Sequence, residues 1–222
     1  MSLTRRELLT TGAVLALGAA GISAGVLPPF TTLAMAADTN PSPEDLAHAG
    51  PAGDIMIGSD KAPVTIIEYA SMTCPHCAHF SMETFPELKK RYIDTGKVRF
   101  IFREFPLDAL AAAGFMLARC AGNDKFMAVV ETLFAKQAEW IVKEPIPQLE
   151  AIAKQFGFSH EAFNECLANQ KRLDNLTVVR DYAVDKLAVN STPTFFVNGK
   201  RLVGDQSIEQ LTKEIDPYLK DG

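Results

Sequence analysis

The stretch Ile66-Ile67-Glu68-Tyr69-Ala70-Ser71-Met72-Thr73-Cys74-Pro75-His76-Cys77 constrains this chain more than any other. A β-branched apolar run ends in a short polar turn, and the turn delivers two cysteines spaced C-x-x-C. The pattern over residues 78–91 is helical, so Cys74 falls at a helix N-terminus. Backbone N–H groups and the positive end of the helix dipole favour a thiolate there. Pro75, at an early helical position, forfeits no needed hydrogen bond. Strand, turn and CxxC at a helix start together predict a dithiol redox site. The competing chemistry is a zinc knuckle, which calls for a second close-spaced ligand pair; Cys120 and Cys166 do not supply one, and no metal is expected.

Upstream, Arg5-Arg6-Glu7-Leu8-Leu9 opens the chain, and no further charge follows until Asp38. A mildly apolar, Ala- and Gly-rich run over residues 12–27 leads to Ala34-Met35-Ala36. A basic start, an apolar middle and an A-x-A site predict an export signal over residues 1–36. Its paired arginines resemble a twin-arginine leader, although Thr10 leaves an ordinary Sec signal open. An uncleaved membrane anchor is the other reading of the same run. The net charge of −5 becomes one unit more negative when residues 1–36 are removed. A mildly acidic chain without basic clusters argues against nucleic acid or anionic membranes as partners.

Residues 37–53 are polar and Pro-containing, and are expected to be a flexible lead-in. Asp54–Gly58 predicts a short strand, and the near-continuous apolar run Val64–Tyr69 a strand buried on both faces. A helix with a kink at Pro86 should follow and end at Gly96. Val98–Phe102 then completes a βαβ unit. Five helical stretches are expected between Phe105 and Asn190: Ala109–Cys120, Asp124–Trp140, Pro147–Gln155, Ser159–Ala168 and Leu173–Val189. A crossover needs only about a dozen residues, so residues 106–190 read as an inserted helical subdomain. Thr194–Val197 and Arg201–Val203 flank Asn198-Gly199, a type I′ hairpin signal. Ser207 and Gln210 form a capping box for a last helix through Ile208, Leu211, Ile215 and Leu219.

CPHC after a core strand, Thr192-Pro193 before a later strand, and a closing hairpin plus helix resemble the thioredoxin fold. With the helical insertion, the chain resembles the DsbA-type thiol–disulfide oxidoreductases of the bacterial periplasm. APVTIIEYASMTCPHC, FREFPLD and STPTFFVNG are similar to the alphaproteobacterial subfamily. The resemblance covers residues 54–222. It implies an α/β fold, a thioredoxin-like mixed sheet with helices on both faces, and no metal or organic cofactor. It also implies a cis bond at Thr192-Pro193, lying against the redox pair and offering backbone to an extended substrate.

Cys74 is then the accessible nucleophile and Cys77 the resolving thiol. His76 either tunes the pair electrostatically or is an idle solvent-facing residue; its place between the cysteines favours tuning. Glu68 lies mid-strand on the face of Val64 and Ile66, where a carboxylate is desolvated and its pKa raised. In thioredoxin-like proteins an acid at this spacing accepts the proton of the resolving thiol; the bland alternative is an edge glutamate reaching solvent. Cys120 and Cys166 both lie on inward faces of the insertion. In an oxidising compartment they are expected to close a structural disulfide, the alternative being two packed free thiols.

The resulting expectation is a periplasmic monomer that passes its Cys74–Cys77 disulfide to reduced, unfolded exported proteins. By resemblance, a DsbB-like membrane partner reoxidises it. Two other functions compete: a disulfide isomerase or reductase of the same fold, and a chaperone or binding protein in which the cysteines are incidental. The isomerases usually carry an N-terminal dimerisation domain, for which residues 37–53 are too short. A chaperone would survive loss of Cys74.

Overall fold

The computed structural model of the protein describes residues 40–219; the expected export signal and residues 37–39 lie outside the described residues. Five strands form one mixed sheet: β1 (Ile55–Ile57), β2 (Val64–Ala70), β3 (Val98–Glu104), β4 (Thr194–Val197) and β5 (Lys200–Val203), in the order β1-β3-β2-β4-β5. β2 and β3 pair in parallel, and the other three pairings are antiparallel. β2 sits at the centre because it is buried on both faces, which is what its unbroken apolar run requires.

Period-two alternation sends Val64, Ile66, Glu68 and Ala70 into the larger core, with Phe100, Phe102 and Phe195. Ile67 and Tyr69 enter a second core on the opposite face, with Ile101 and Phe196. The Asn198-Gly199 turn has positive φ at both residues (44° and 93°), the type I′ geometry that its sequence predicts.

Residues 40–53 differ from the flexible lead-in expected of them. Ser42 caps a short helix, α1 (Pro43–Ala47), whose Leu46 is buried in the second core. His48 stacks on Tyr182, ring centroids 4.0 Å apart. Arg103, only 2% exposed, holds both Asp54 oxygens at 2.8 and 2.9 Å and donates to Leu46 O and the Tyr69 hydroxyl. Arg119, paired with buried Glu104, donates to Gly53 O. Two arginines far along the chain thus anchor a segment whose own composition carries no folding signal.

The CxxC helix runs over residues 75–93 as α2 (Pro75–His79), a π turn (Phe80–Thr84), α3 (Phe85–Leu88) and a second π turn (Lys89–Ile93). The expected kink at Pro86 is absorbed by the π turn before it. Phe85 N–H reaches back five residues to Phe80 O, which opens the spiral where the proline ring would otherwise crowd a carbonyl.

The insertion comprises α4 (Ala109–Cys120), α5 (Asn123–Ala135), α6 (Gln137–Trp140), α7 (Pro145–Gln155), α8 (His160–Leu167) and α9 (Gln170–Leu187). The single helix expected over 124–140 breaks at Lys136, where ψ turns to 18°. α4 to α8 extend the larger core, and α9 with α1 covers the opposite sheet face. The closing helix α10 (Ile208–Ile215) carries the capping box between Ser207 and Gln210. No helix among the described residues is long and apolar enough to cross a membrane.

Candidate active site

At the end of β2 the chain turns sharply. Cys74 N–H donates to Ser71 O at 3.1 Å, and Cys74 takes the N-cap position of α2 with Pro75 next to it. The insertion clamps this turn from outside. The Thr73 hydroxyl donates to Asp108 Oδ2 at 2.6 Å, and the Gln137 amide donates to both Met72 O (2.8 Å) and Cys74 O (3.0 Å). Opposite, the Cys74 thiol donates to Thr192 O at 3.2 Å, and the Thr192-Pro193 bond is cis. Gly204 N–H in turn donates to Pro193 O at 2.9 Å.

Cys74, Cys77, Glu68, Thr192 and Pro193 therefore meet at one end of the sheet. His76 points outward and is exposed. Cys74 is less open than a freely accessible nucleophile, at 6% exposed against 0% for Cys77, because the Thr192 segment lies against it and Gln137 pins its turn.

The two thiols are chemically unequal. Cys74 is lowered to about 5, first by the hydrogen bond from the Cys77 thiol, then by the Thr192 side chain and the backbone N–H groups of Cys77 and His76, all against the opposing pull of burial. The Thr192 hydroxyl is buried with no hydrogen-bond partner among the described residues, so it is available to donate once the proton leaves Cys74. What His76 supplies here is its backbone N–H. Burial pushes the Cys77 thiol well up, and the neighbouring Cys74 and Glu68 charges add to this. Glu68, 3% exposed, is likewise pushed well up, by burial first and then by Cys74 and Asp205. Such a cluster releases a thiolate at Cys74 and holds protons at Cys77 and Glu68.

Cys120 and Cys166 are bonded, S–S 2.08 Å and Cα–Cα 6.1 Å, joining α4 to α8. Sequence reasoning missed Gln137 and Asp108, which reach the dithiol turn from α6 and from the start of α4; a lone polar residue in a helix or turn gives no sign of the carbonyl or hydroxyl it will meet.

This fold and paired-cysteine site define a class, and the chain belongs to the thioredoxin family, whose profile matches residues 51–217. Within it the chain is of the DsbA-like branch. It superposes on the crystal structure of Wolbachia pipientis alpha-DsbA1 with a TM-score of 0.74 and 31% identity, covering 81% of this chain and 97% of that one. A Rickettsia conorii protein named as a protein-disulfide oxidoreductase is 34% identical over 170 residues, 76% of this chain and 61% of its own length. A Bacillus anthracis protein named disulfide bond formation protein D is 30% identical over 74% of this chain and 77% of its own. The chain thus spans about three fifths of the rickettsial relative.

Proposed function

We propose that the protein oxidises paired thiols in exported proteins. The observation that carries this reading is the asymmetry of the pair: Cys74 is a ready thiolate at about 5, while Cys77 is fully buried and held as a thiol. A substrate thiolate attacks Sγ of Cys74 in the disulfide form. The Cys74–Cys77 bond breaks, its electron pair goes to Cys77, and a mixed disulfide joins substrate to Cys74. A second substrate thiolate then attacks the substrate sulfur, and Cys74 leaves as thiolate. The substrate is oxidised by two electrons and the protein reduced by two. A stabilised Cys74 thiolate is a good leaving group and favours the reduced protein, which makes the disulfide a strong oxidant.

Glu68 gives its proton to the departing Cys77 and takes it back on reoxidation. Thr192 and Pro193 hold the substrate segment, the Thr192 backbone pairing with it as an added strand. The setting is the periplasm, reached through the signal over residues 1–36, and a DsbB-like membrane protein restores the disulfide. The Cys120–Cys166 bond is structural and takes no part in exchange.

The test is oxidation of a reduced two-cysteine peptide by the disulfide form. Wild type should convert it stoichiometrically, and Cys74→Ser and Cys77→Ser, neither of which can close the pair, should be inert; offered the peptide in its disulfide form, Cys77→Ser should be trapped as a mixed disulfide through Cys74 while Cys74→Ser is not. A Cys74→Ser protein that still promotes folding of reduced clients would replace this reading by a chaperone one. A protein that repairs mispaired substrates faster than it oxidises reduced ones would replace it by an isomerase.

A further inference from the structure

The exchange proposed above uses the two sulfurs, Glu68 and the Thr192 segment, and gives the helical insertion no part. Yet the insertion grips the dithiol turn from both α4 and α6. Asp108 caps α4 by accepting Ala111 N–H at 2.7 Å, and its other oxygen takes the Thr73 hydroxyl. Further along α4, Gly114 faces the buried Met72; a Cβ there would lie 3.1 Å from Met72 Cγ, tighter than ordinary van der Waals contact. Gln137, the first residue of α6, donates from one amide nitrogen to Met72 O at 2.8 Å and to Cys74 O at 3.0 Å.

The Gln137 contact differs from the others because it straddles Cys74. Both acceptors are backbone carbonyls, so the amide nitrogen and not the oxygen must face them. Cys74 O also takes the Ala78 N–H at 3.2 Å, and Cys74 N–H is held by Ser71 O at 3.1 Å. With Met72 O and Cys74 O tied to one nitrogen, the backbone on either side of Cys74 is fixed, and with it the direction of the side chain. That direction brings the sulfur to Thr192 O and to the N–H groups of His76 and Cys77. Gln137 is itself held in place. α6 is a single turn set off from α5 by the break at Lys136, and the fully buried Trp140 at its far end donates Nε1 to Leu133 O at 2.8 Å. A donor on so fixed a turn keeps its geometry as charge forms on the sulfur, at no cost in reorganisation.

We propose that Gln137 is a positioning residue of the redox pair: by tying Met72 O and Cys74 O to the insertion, it holds Cys74 where its thiolate is stabilised, and so sets how oxidising the Cys74–Cys77 disulfide is. This rests on the oxidoreductase reading and deepens it. Gln137 touches no sulfur and passes no proton or electron. It acts through the donors that the fixed turn presents to Cys74. Loosening the clamp lets the turn carry those donors off the sulfur. The reduced state then loses stabilisation that the disulfide, which bears no charge, never had, and the equilibrium moves toward the disulfide.

The experiment compares full-length wild type with Gln137→Met, Gln137→Ala and Glu139→Gln. Methionine keeps the length of glutamine and removes the donor, alanine is neutral and the best helix former, and Glu139 is an exposed residue of the same helical turn, its side chain 63% open. Two quantities are read: the ratio of reduced to oxidised protein in graded glutathione at pH 7, and the titration of the Cys74 thiolate by its ultraviolet absorbance. Gln137→Met should titrate about one pH unit higher and shift the glutathione equilibrium about tenfold toward the disulfide, or ~30 mV. Gln137→Ala should shift both readings in the same direction, so a methionine variant that misfolds leaves the test intact. Glu139→Gln should match wild type in both. A folded Gln137→Met or Gln137→Ala with the wild-type titration and equilibrium overturns the assignment. So does a Glu139→Gln protein that shifts as far as Gln137→Met, because the cause would then be α6 as a whole and not the amide. A wild-type disulfide that fails to exchange with glutathione at all would instead sink the oxidoreductase reading, so the two failures are distinguishable.

Discussion

Cys74 and Cys77 are one helical turn apart, and burial with hydrogen bonding drives their proton affinities in opposite directions. Alkylation of the reduced protein should follow a single thiolate titrating at about 5, with Cys77 protected across the neutral range. Thr192→Val deletes a hydroxyl able to donate to that thiolate, so the titration should move upward without loss of fold; ultraviolet thiolate absorbance reads both. Glu68 works the other way on stability. Its folded pKa lies above the unfolded one, so the folded state binds the extra proton and stability falls as pH rises past the unfolded value near 4.5. Glu68→Gln should therefore make the reduced protein more stable at pH 7 than wild type and flatten its melting temperature above about pH 5, as calorimetry across pH would show. A Gln variant that melts lower at pH 7 would mean that the carboxylate is held by partners rather than merely enclosed.

At the scale of elements, two anchors join distant stretches of chain. The Cys120–Cys166 bond has a sequence separation of 46, and on chain-entropy grounds a loop of that size contributes roughly 4 kcal/mol. Cys120→Ser with Cys166→Ser should lower the melting temperature by about 8–16 °C, yet leave peptide oxidation by Cys74 within about twofold of wild type. Leu46→Ala should cost about 2–5 kcal/mol, the range for opening a cavity at a buried leucine, because α1 is packed rather than loose. Denaturant melts measure both.

The elements that were legible in the sequence are those governed by neighbours in the chain. Asn198-Gly199 needs only its own backbone freedom, the Ser207–Gln210 box closes within a single turn, and Cys74 lies at the start of its own helix. α1 was not legible because its anchors, Arg103 and Arg119, lie far along the chain. The break at Lys136 was hidden too: the helical pattern runs on through it, and only the structure shows Gln137 turned onto the dithiol turn.

For the whole molecule, the sheet sets Glu68 and Cys74 at one end, and the insertion closes over that end through Asp108 and Gln137. The Thr192 segment closes the other side. This enclosure buries Cys77 completely while leaving Cys74 6% exposed, the asymmetry on which the proposed exchange rests. The central claim is that the reduced state is favoured by the Cys74 thiolate. Its most direct test is the equilibrium of Cys74–Cys77 against a graded ratio of reduced to oxidised glutathione at pH 7. The potential should be more oxidising than about −180 mV, well above the roughly −300 mV below which structural disulfides fall. A potential at or below about −270 mV, the range of a reductase such as thioredoxin, would contradict it.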